Sequence, residues 1–296
     1  MSTSTSRATG ASAEAIQQHY DVSNAFYELW LDPGMTYSAA LWLREEDDLD
    51  AAQRAKLDWH LDNLRIESAP RILDVGCGWG SMMRRALERN PDCRAQGLTL
   101  SQAQADRIQA QPSERISVAL QSWAEHSVAE PYDGIVSVGA FEHFARLDQK
   151  LEDKIAGYRS FFDFCHRSLK PGGRLSLQTI SYETAERKDF SKFFAEEIFP
   201  ESDLPHIAEI EQASRHLFEI VHLRNDRTHY ARTLRHWLRN LRARKAEARA
   251  MVGDAVYERY EKYLGMMVVA FHTGTMNLTR ICFQRLDDAR PRALAG

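Results

Sequence analysis

Cysteine is scarce in this sequence: Cys77, Cys93, Cys165 and Cys282 are the only four, and they lie far apart. No C-x-x-C pair and no nearby histidine spacing suggests zinc, so no metal site is expected and the thiols read as reduced, in a cytoplasmic protein. An excess of positive charge is missing too. The 38 Lys and Arg stand against 42 Asp and Glu, a formal net charge of -4, which offers no overall attraction to nucleic acid or an anionic membrane. No nucleic-acid partner is expected. The locally basic run from Arg232 to Arg249 has apolar residues at helical spacing and reads first as a solvated helix face, with an acidic phosphate or lipid contact as the alternative. Long apolar runs are also absent: the opening MSTSTSRATGASA is small and polar, unlike a signal peptide, and no segment approaches a membrane span. No integral membrane association is therefore expected. What is present is ordinary for a soluble globular chain, with 44% hydrophobic and 27% charged residues over 296 positions, enough to bury a large core.

The order of apolar runs and turns predicts α/β structure. Ile16, Tyr20, Phe26, Tyr27 and Trp30 suggest an aromatic amphipathic helix stopped by Asp32-Pro33-Gly34, and a second helix spans Leu49 to Leu64. Then strands at Arg71 to Val75, Arg94 to Leu98, Ile116 to Leu120, Gly134 to Val138 and Arg174 to Ile180 alternate with helices at Ser81 to Arg89, Ser101 to Ile108 and Leu147 to Leu169. Such alternation means crossover connections and a mostly parallel, doubly wound sheet, with the ligand crevice beyond the carboxyl ends of its strands. After Ile180 the pattern is mainly helical. Val256, Tyr260, Tyr263 and Leu264 form a stripe that reads as core, with a substrate channel wall as the alternative, and Leu217 to Leu223 and Met276 to Leu286 are candidate closing strands. The expected organisation is a disordered tail at 1–14, a helical cover at 15–66, a cofactor-binding core at 67–180, a substrate-binding region at 181–264 and a closing strand with tail at 265–296.

Ile72-Leu73-Asp74-Val75-Gly76-Cys77-Gly78-Trp79-Gly80 is the strongest local signal. A buried strand reaches a turn where missing β-carbons let a ligand approach the backbone, and the following helix presents free N–H groups. Alone it could be a tight strand–helix junction. A dinucleotide loop would read G-x-G-x-x-G, whereas Ser81 stands where its third glycine would fall. The E/D-x-G-x-G-x-G form points to S-adenosylmethionine, with Asp74 able to accept from a cationic or hydroxyl-bearing group. The second strand ends in Gly97-Leu98-Thr99-Leu100-Ser101 with no acidic residue, so Thr99 and Gln104 are the polar candidates for ribose; N-capping by Ser101 explains that stretch structurally. After the third strand, Trp123 and Ala124 could face adenine, unless Trp123 is core.

Beyond the loop, the chain resembles the cyclopropane-fatty-acid and mycolic-acid synthase family of S-adenosylmethionine-dependent methyltransferases. The matching pieces are His19-Tyr20-Asp21, Phe26-Tyr27, Met35-Thr36-Tyr37-Ser38, Asp74 to Gly80, Gly97 to Ser101, Phe141-Glu142-His143, Ile198-Phe199-Pro200, Leu204-Pro205, and His229 to Leu234 with Trp237. The resemblance implies a class I, Rossmann-like, seven-stranded sheet with N-terminal helices and a helical insertion forming a substrate lid. It places Tyr37, Ser38, Gly76, Gly78, Thr99, Leu100, Gln104, Trp123 and Ala124 around the cofactor. Glu142 and Tyr230 fall at the reacting centre, with His143 beside them as the base used by nitrogen-methylating relatives.

These residue types suit the chemistry. The cofactor brings its own leaving group, so the protein aligns donor and acceptor, excludes water and manages developing charge. A carboxylate at Glu142 can steady a cation or take its proton, and the rings of Tyr20, Tyr37 and Tyr230 can stabilise positive charge. The bland readings are a helix-start carboxylate for Glu142 and a hydrogen-bonded core histidine for His143. Two departures stand out: lipid cyclopropane synthases hold bicarbonate with a histidine where this chain has Gln178, and carry a cysteine where it has Ala39, which makes bicarbonate and ring closure doubtful. The expected activity is methyl or methylene transfer to an electron-rich carbon, an alkene, of an apolar lipid-like or isoprenoid-like small molecule. The alternative is N- or aromatic C-methylation of a small specialised metabolite.

Overall fold

The computed structural model of the chain describes residues 23–146, 148–185 and 202–287. Its strands are Arg71–Val75 (β1), Arg94–Thr99 (β2), Ile116–Leu120 (β3), Tyr132–Val138 (β4), Leu169–Tyr182 (β5), Phe218–Asn225 (β6) and Met276–Arg285 (β7). They form one seven-stranded sheet in the order β3-β2-β1-β4-β5-β7-β6. The first five pair in parallel, and β7 runs antiparallel between β5 and β6. Ile72, Leu73 and Val75 of central β1 are all buried, as a strand covered on both faces requires.

The helices are Asn24–Glu28 (α1), Leu49–Asn63 (α2), Ser81–Arg89 (α3), Gln102–Gln109 (α4), Leu151–Ser168 (α5), Ile207–Ser214 (α6), Arg227–Ala243 (α7) and Lys245–Thr273 (α8). Local chemistry sets their starts: the Asp48 carboxylate accepts from Ala51 N at 2.8 Å to open α2, and Ser101 Oγ accepts from Gln104 N to open α4. Asp32 stops the first aromatic segment by accepting from Gly34 N, Thr36 N and Thr36 Oγ1, the Asx turn its D-P-G sequence invites. The expected helix from Leu147 begins instead at Leu151, because Gln149 folds back to accept from Arg146 N at 2.7 Å. Strand β5 is longer than expected at both ends, since Leu169 pairs with Tyr132 of β4 and β7 pairs along it as far as Tyr182. Helix α8 bends at Gly253, where φ is 81°.

Three apolar clusters result. Phe141, Tyr158, Phe161, Phe162 and Phe283 pack α5 onto one sheet face; Leu57, Leu61, Ile72, Met83 and Val136 pack α2 and α3 onto the other. The third gathers Tyr27, Trp30, Trp79, Tyr182, Tyr230, Trp237, Tyr260, Tyr263 and Met276. Trp79 follows β1, Tyr182 ends β5 and Met276 begins antiparallel β7, so this aromatic cluster caps the carboxyl edge of the sheet. Tyr260, Tyr263 and Leu264 are buried within it, and Tyr260 shares a 2.8 Å hydroxyl contact with Tyr27. The Arg232–Arg249 run lies on the outer face of α7 and the start of α8, where Arg242, Arg244 and Arg249 pair with Glu261, Glu247 and Glu258.

Candidate active site

Strand β1 delivers Asp74 to the carboxyl edge, and the chain then turns through Gly76 and Gly78, whose φ values are 81° and 52°. A side chain at Gly76 would be doubly excluded, by that conformation and by Ala140, whose Cβ would lie 2.5 Å from it. The N–H groups of Gly76 and Cys77 both reach Leu98 O, at 2.9 and 3.0 Å, and Trp79 Nε1 donates to Asn24 of α1 at 2.8 Å. The turn is thereby fixed against its neighbours.

Over it opens a cavity of about 790 Å³. Asp74, Gly76 and Gly78 form its floor; Thr99, Leu100 and Gln104 come from the β2–α4 junction, Trp123 and Ala124 from the turn after β3, and Tyr37 and Ser38 from the loop before α2. All ten residues expected around the cofactor therefore line one cavity. Thr99 Oγ1 donates to Gln104 Oε1 at 2.7 Å while Ser101 caps α4, so capping falls to a different side chain from the two that line the cavity. Trp123 packs on Phe144, Phe161 and Phe164 with ring centroids 5.3–5.7 Å away and also lines the cavity. Burial pushes the Asp74 carboxyl up to about 7, although Lys56 draws it down. A glycine floor, an aromatic wall, paired ribose-height polar groups and an acid at the strand end fit S-adenosylmethionine.

His143 lines the same cavity, whereas Glu142 and Tyr230 stand outside its lining. Glu142 is buried, with Oε1 accepting from Ile180 N at 2.7 Å and Oε2 lacking a hydrogen-bond partner among the described residues. Burial raises this carboxyl to about 7, against lowering by the Ile180 N–H and the nearby Thr179 hydroxyl. The phenol of Tyr37, also buried, is pushed well up by desolvation and by its neighbours Tyr263, Tyr27, Tyr260 and Tyr230. Tyr263 is likewise raised by burial, with Glu142 contributing. Tyr230 and Tyr263 thus neighbour Tyr37, which lines the cavity, and Glu142 neighbours Tyr263. His143 Nδ1 lies 2.8 Å from Ser202 Oγ, and burial lowers its ring to about 4. Tyr20 and the insertion aromatics Phe193, Phe194 and Phe199 lie outside the described residues.

Sequence reasoning missed a polar layer beneath the Tyr37-Ser38 loop. Arg280 of β7 is fully buried; its Nε donates to Gln178 Oε1 at 2.7 Å, its Nη1 to Asp226, and its Nη2 to Ala39 O and Ala40 O. His60 reaches Ser176 Oγ at 2.7 Å and Gln178 Oε1 at 3.4 Å. Gln53 Nε2 donates to Thr36 O and Ser38 O, and Lys56 Nζ to Ser38 Oγ at 2.8 Å. One signal was available: Gln53, Lys56 and His60 share helical spacing with buried Ala52, Leu57 and Leu61, so three polar groups lie on a face that should be apolar.

The profile of the family described as mycolic acid cyclopropane synthetase matches residues 7–281. Cyclopropane mycolic acid synthase 3 of Mycobacterium tuberculosis (strain ATCC 25618 / H37Rv) is 37% identical over 289 residues, covering 91% of this chain and 96% of that protein. Cyclopropane mycolic acid synthase 2 of Mycobacterium leprae (strain TN) is 40% identical over 272 residues, covering 85% and 87%. The crystal structure of mycolic acid cyclopropane synthase CmaA1 complexed with SAH and CTAB superposes with a TM-score of 0.84 at 36% identity, covering 93% of this chain and 99% of that one.

Proposed function

This chain belongs to the mycolic acid cyclopropane synthetase family of S-adenosylmethionine-dependent methyltransferases, and we propose that it transfers a one-carbon unit to an alkene carbon of an apolar, lipid-like or isoprenoid-like molecule, with Glu142 managing the resulting charge. The observation that carries this reading is the buried Glu142 carboxylate, pinned by one oxygen and unpartnered at the other. The relatives are named as cyclopropane mycolic acid synthases, and one solved relative is complexed with SAH and with CTAB, an apolar-tailed molecule. Both support an apolar acceptor.

In this reading Asp74 receives the ammonium of the cofactor's methionyl end, Thr99 and Gln104 the ribose, and Trp123 with Ala124 the adenine, while Leu100, Tyr37, Ser38 and the glycine turn shape the wall. Bound S-adenosylmethionine supplies an electrophilic methyl group on a sulfonium. The alkene π pair forms the new C–C bond as the C–S bond breaks, and the neighbouring substrate carbon is left cationic. The ring faces of Tyr37 and Tyr230 and the Glu142 carboxylate oppose that charge. A C–H bond beside the cationic carbon then breaks, its proton passing to Glu142 Oε2, whose elevated pKa suits a general base near neutrality, and its electron pair neutralising the cation by closing a ring or forming a new double bond.

Bicarbonate has no step here. Gln178 Oε1 accepts from Arg280 Nε, and the other Arg280 donors are spent on Asp226, Ala39 and Ala40, so the guanidinium is already engaged and an anion at that position would be left with the Gln178 amide N–H, while Glu142 serves as the base. The alternative acceptor, an amine nitrogen served by His143, is disfavoured because a ring held near 4 is a weak base. Among the described residues no helix is long and apolar enough to cross a membrane, and the free, buried cysteines support a cytoplasmic location.

The test is product mass analysis with methyl-labelled S-adenosylmethionine offered to pooled alkenes, prenyl compounds and heterocyclic amines, with and without bicarbonate. The expected result is one labelled CH2 unit gained by an alkene at a rate indifferent to bicarbonate. Label confined to amines or aromatic rings overturns the proposal.

A further inference from the structure

Lys56 occupies a position where packing alone gives a lysine no purpose. It lies on the buried face of α2, 1% exposed, and lines the cofactor cavity together with Ser38 and Asp74. Its Nζ donates to the uncharged Ser38 hydroxyl and makes no ion pair within 4.0 Å of any carboxylate among the described residues. Of the charges around it, Asp32 already accepts from Gly34 and Thr36, Arg280 repels it, and Asp74 faces the cavity without pairing to it. His60, on the next turn, is held neutral by burial. A desolvated ammonium left with one hydroxyl partner needs an anion.

We propose that Lys56 receives the carboxylate of the cofactor's methionyl end, with Ser38 hydrogen-bonded beside it, while Asp74 takes the adjoining ammonium. The inference rests on reading the cavity as the S-adenosylmethionine site. Lys56 and Asp74 present opposite charges to one cavity without neutralising each other, which is the complement of an α-amino acid zwitterion. Burial, with Arg280, holds Lys56 down to about 7, and burial holds Asp74 up to about 7; a ligand bearing both opposite charges relieves both. The Ser38 hydroxyl is fixed for this role, since Gln53 holds the Thr36 and Ser38 carbonyls and Arg280 those of Ala39 and Ala40.

Calorimetric titration with S-adenosylhomocysteine and with its decarboxylated form, which keeps the amine but lacks the carboxylate, tests the assignment in wild type, Lys56→Met and Lys56→Arg. Wild type should prefer S-adenosylhomocysteine by about 30-fold, the worth of one charge-assisted contact. Lys56→Met should lose that preference, weakening S-adenosylhomocysteine by about 30-fold while leaving the decarboxylated ligand within about 3-fold, and Lys56→Arg should keep part of it. Equal weakening of both ligands in Lys56→Met marks a packing role and overturns the proposal. Equal wild-type affinities overturn it too, even if Lys56→Met does not fold. A wild type that binds neither ligand overturns the cofactor reading itself.

Discussion

Glu142 is a buried carboxylate anchored at one oxygen and open at the other. Its backbone-held oxygen fixes its direction, and its unpartnered oxygen bears the full cost of burial, which is why the group titrates near 7. Glu142→Gln keeps the shape and the Ile180 hydrogen bond but removes the base. Turnover should fall by about 10²- to 10⁴-fold with S-adenosylhomocysteine affinity unchanged, as steady-state kinetics beside titration would establish. The sign of the pH dependence follows from the ionised form being the active one: the rate falls as pH drops through about 7, and in Glu142→Gln the residual rate loses that limb.

At the scale of elements, the site is held by contacts between pieces remote in sequence. Arg280 in β7 pairs in register with Gln178 of β5, binds Asp226 at the head of α7, and holds the loop before α2 through two carbonyls. One guanidinium therefore fixes the loop carrying Tyr37 and Ser38 and the helix carrying Tyr230. Arg280→Leu takes one of two arginine partners from the buried Asp226, which keeps Arg224 at 3.0 Å, and leaves the Ala39 and Ala40 carbonyls without their donor, so urea unfolding should show a loss of about 1–3 kcal/mol. A change of less than 1 kcal/mol would show that the loop and helix hold their places without it.

For the molecule as a whole, the cavity draws on the loop before α2, α2 itself, the ends of β1 and β2, the turn after β3 and the segment after β4. A ligand that bridges all of these binds the folded chain and not the unfolded one. S-adenosylhomocysteine at 100 times its dissociation constant should therefore add about 2.7 kcal/mol to the unfolding free energy, read as a concentration-dependent rise in the thermal midpoint. No rise at saturation would contradict a cavity built from the folded chain.

The amino-acid sequence by itself determined the strand and helix order, the glycine turn and the cofactor class, because those features are local: an apolar strand, a capped helix and a positive-φ turn each follow from a few adjacent residues. Phe141-Glu142-His143 was legible as a motif and does open a short helical turn, yet the burial partner of Glu142 is Ile180, 38 positions away. Tertiary structure alone decided such pairings. Lys56 and His60 form a buried polar layer only because α2 lies against the sheet, and the Gln178 oxygen is taken only because β7 brings Arg280 to it. The physical reason is that a polar group's chemistry depends on what surrounds it once water is gone, and for buried groups the surroundings come from distant parts of the chain.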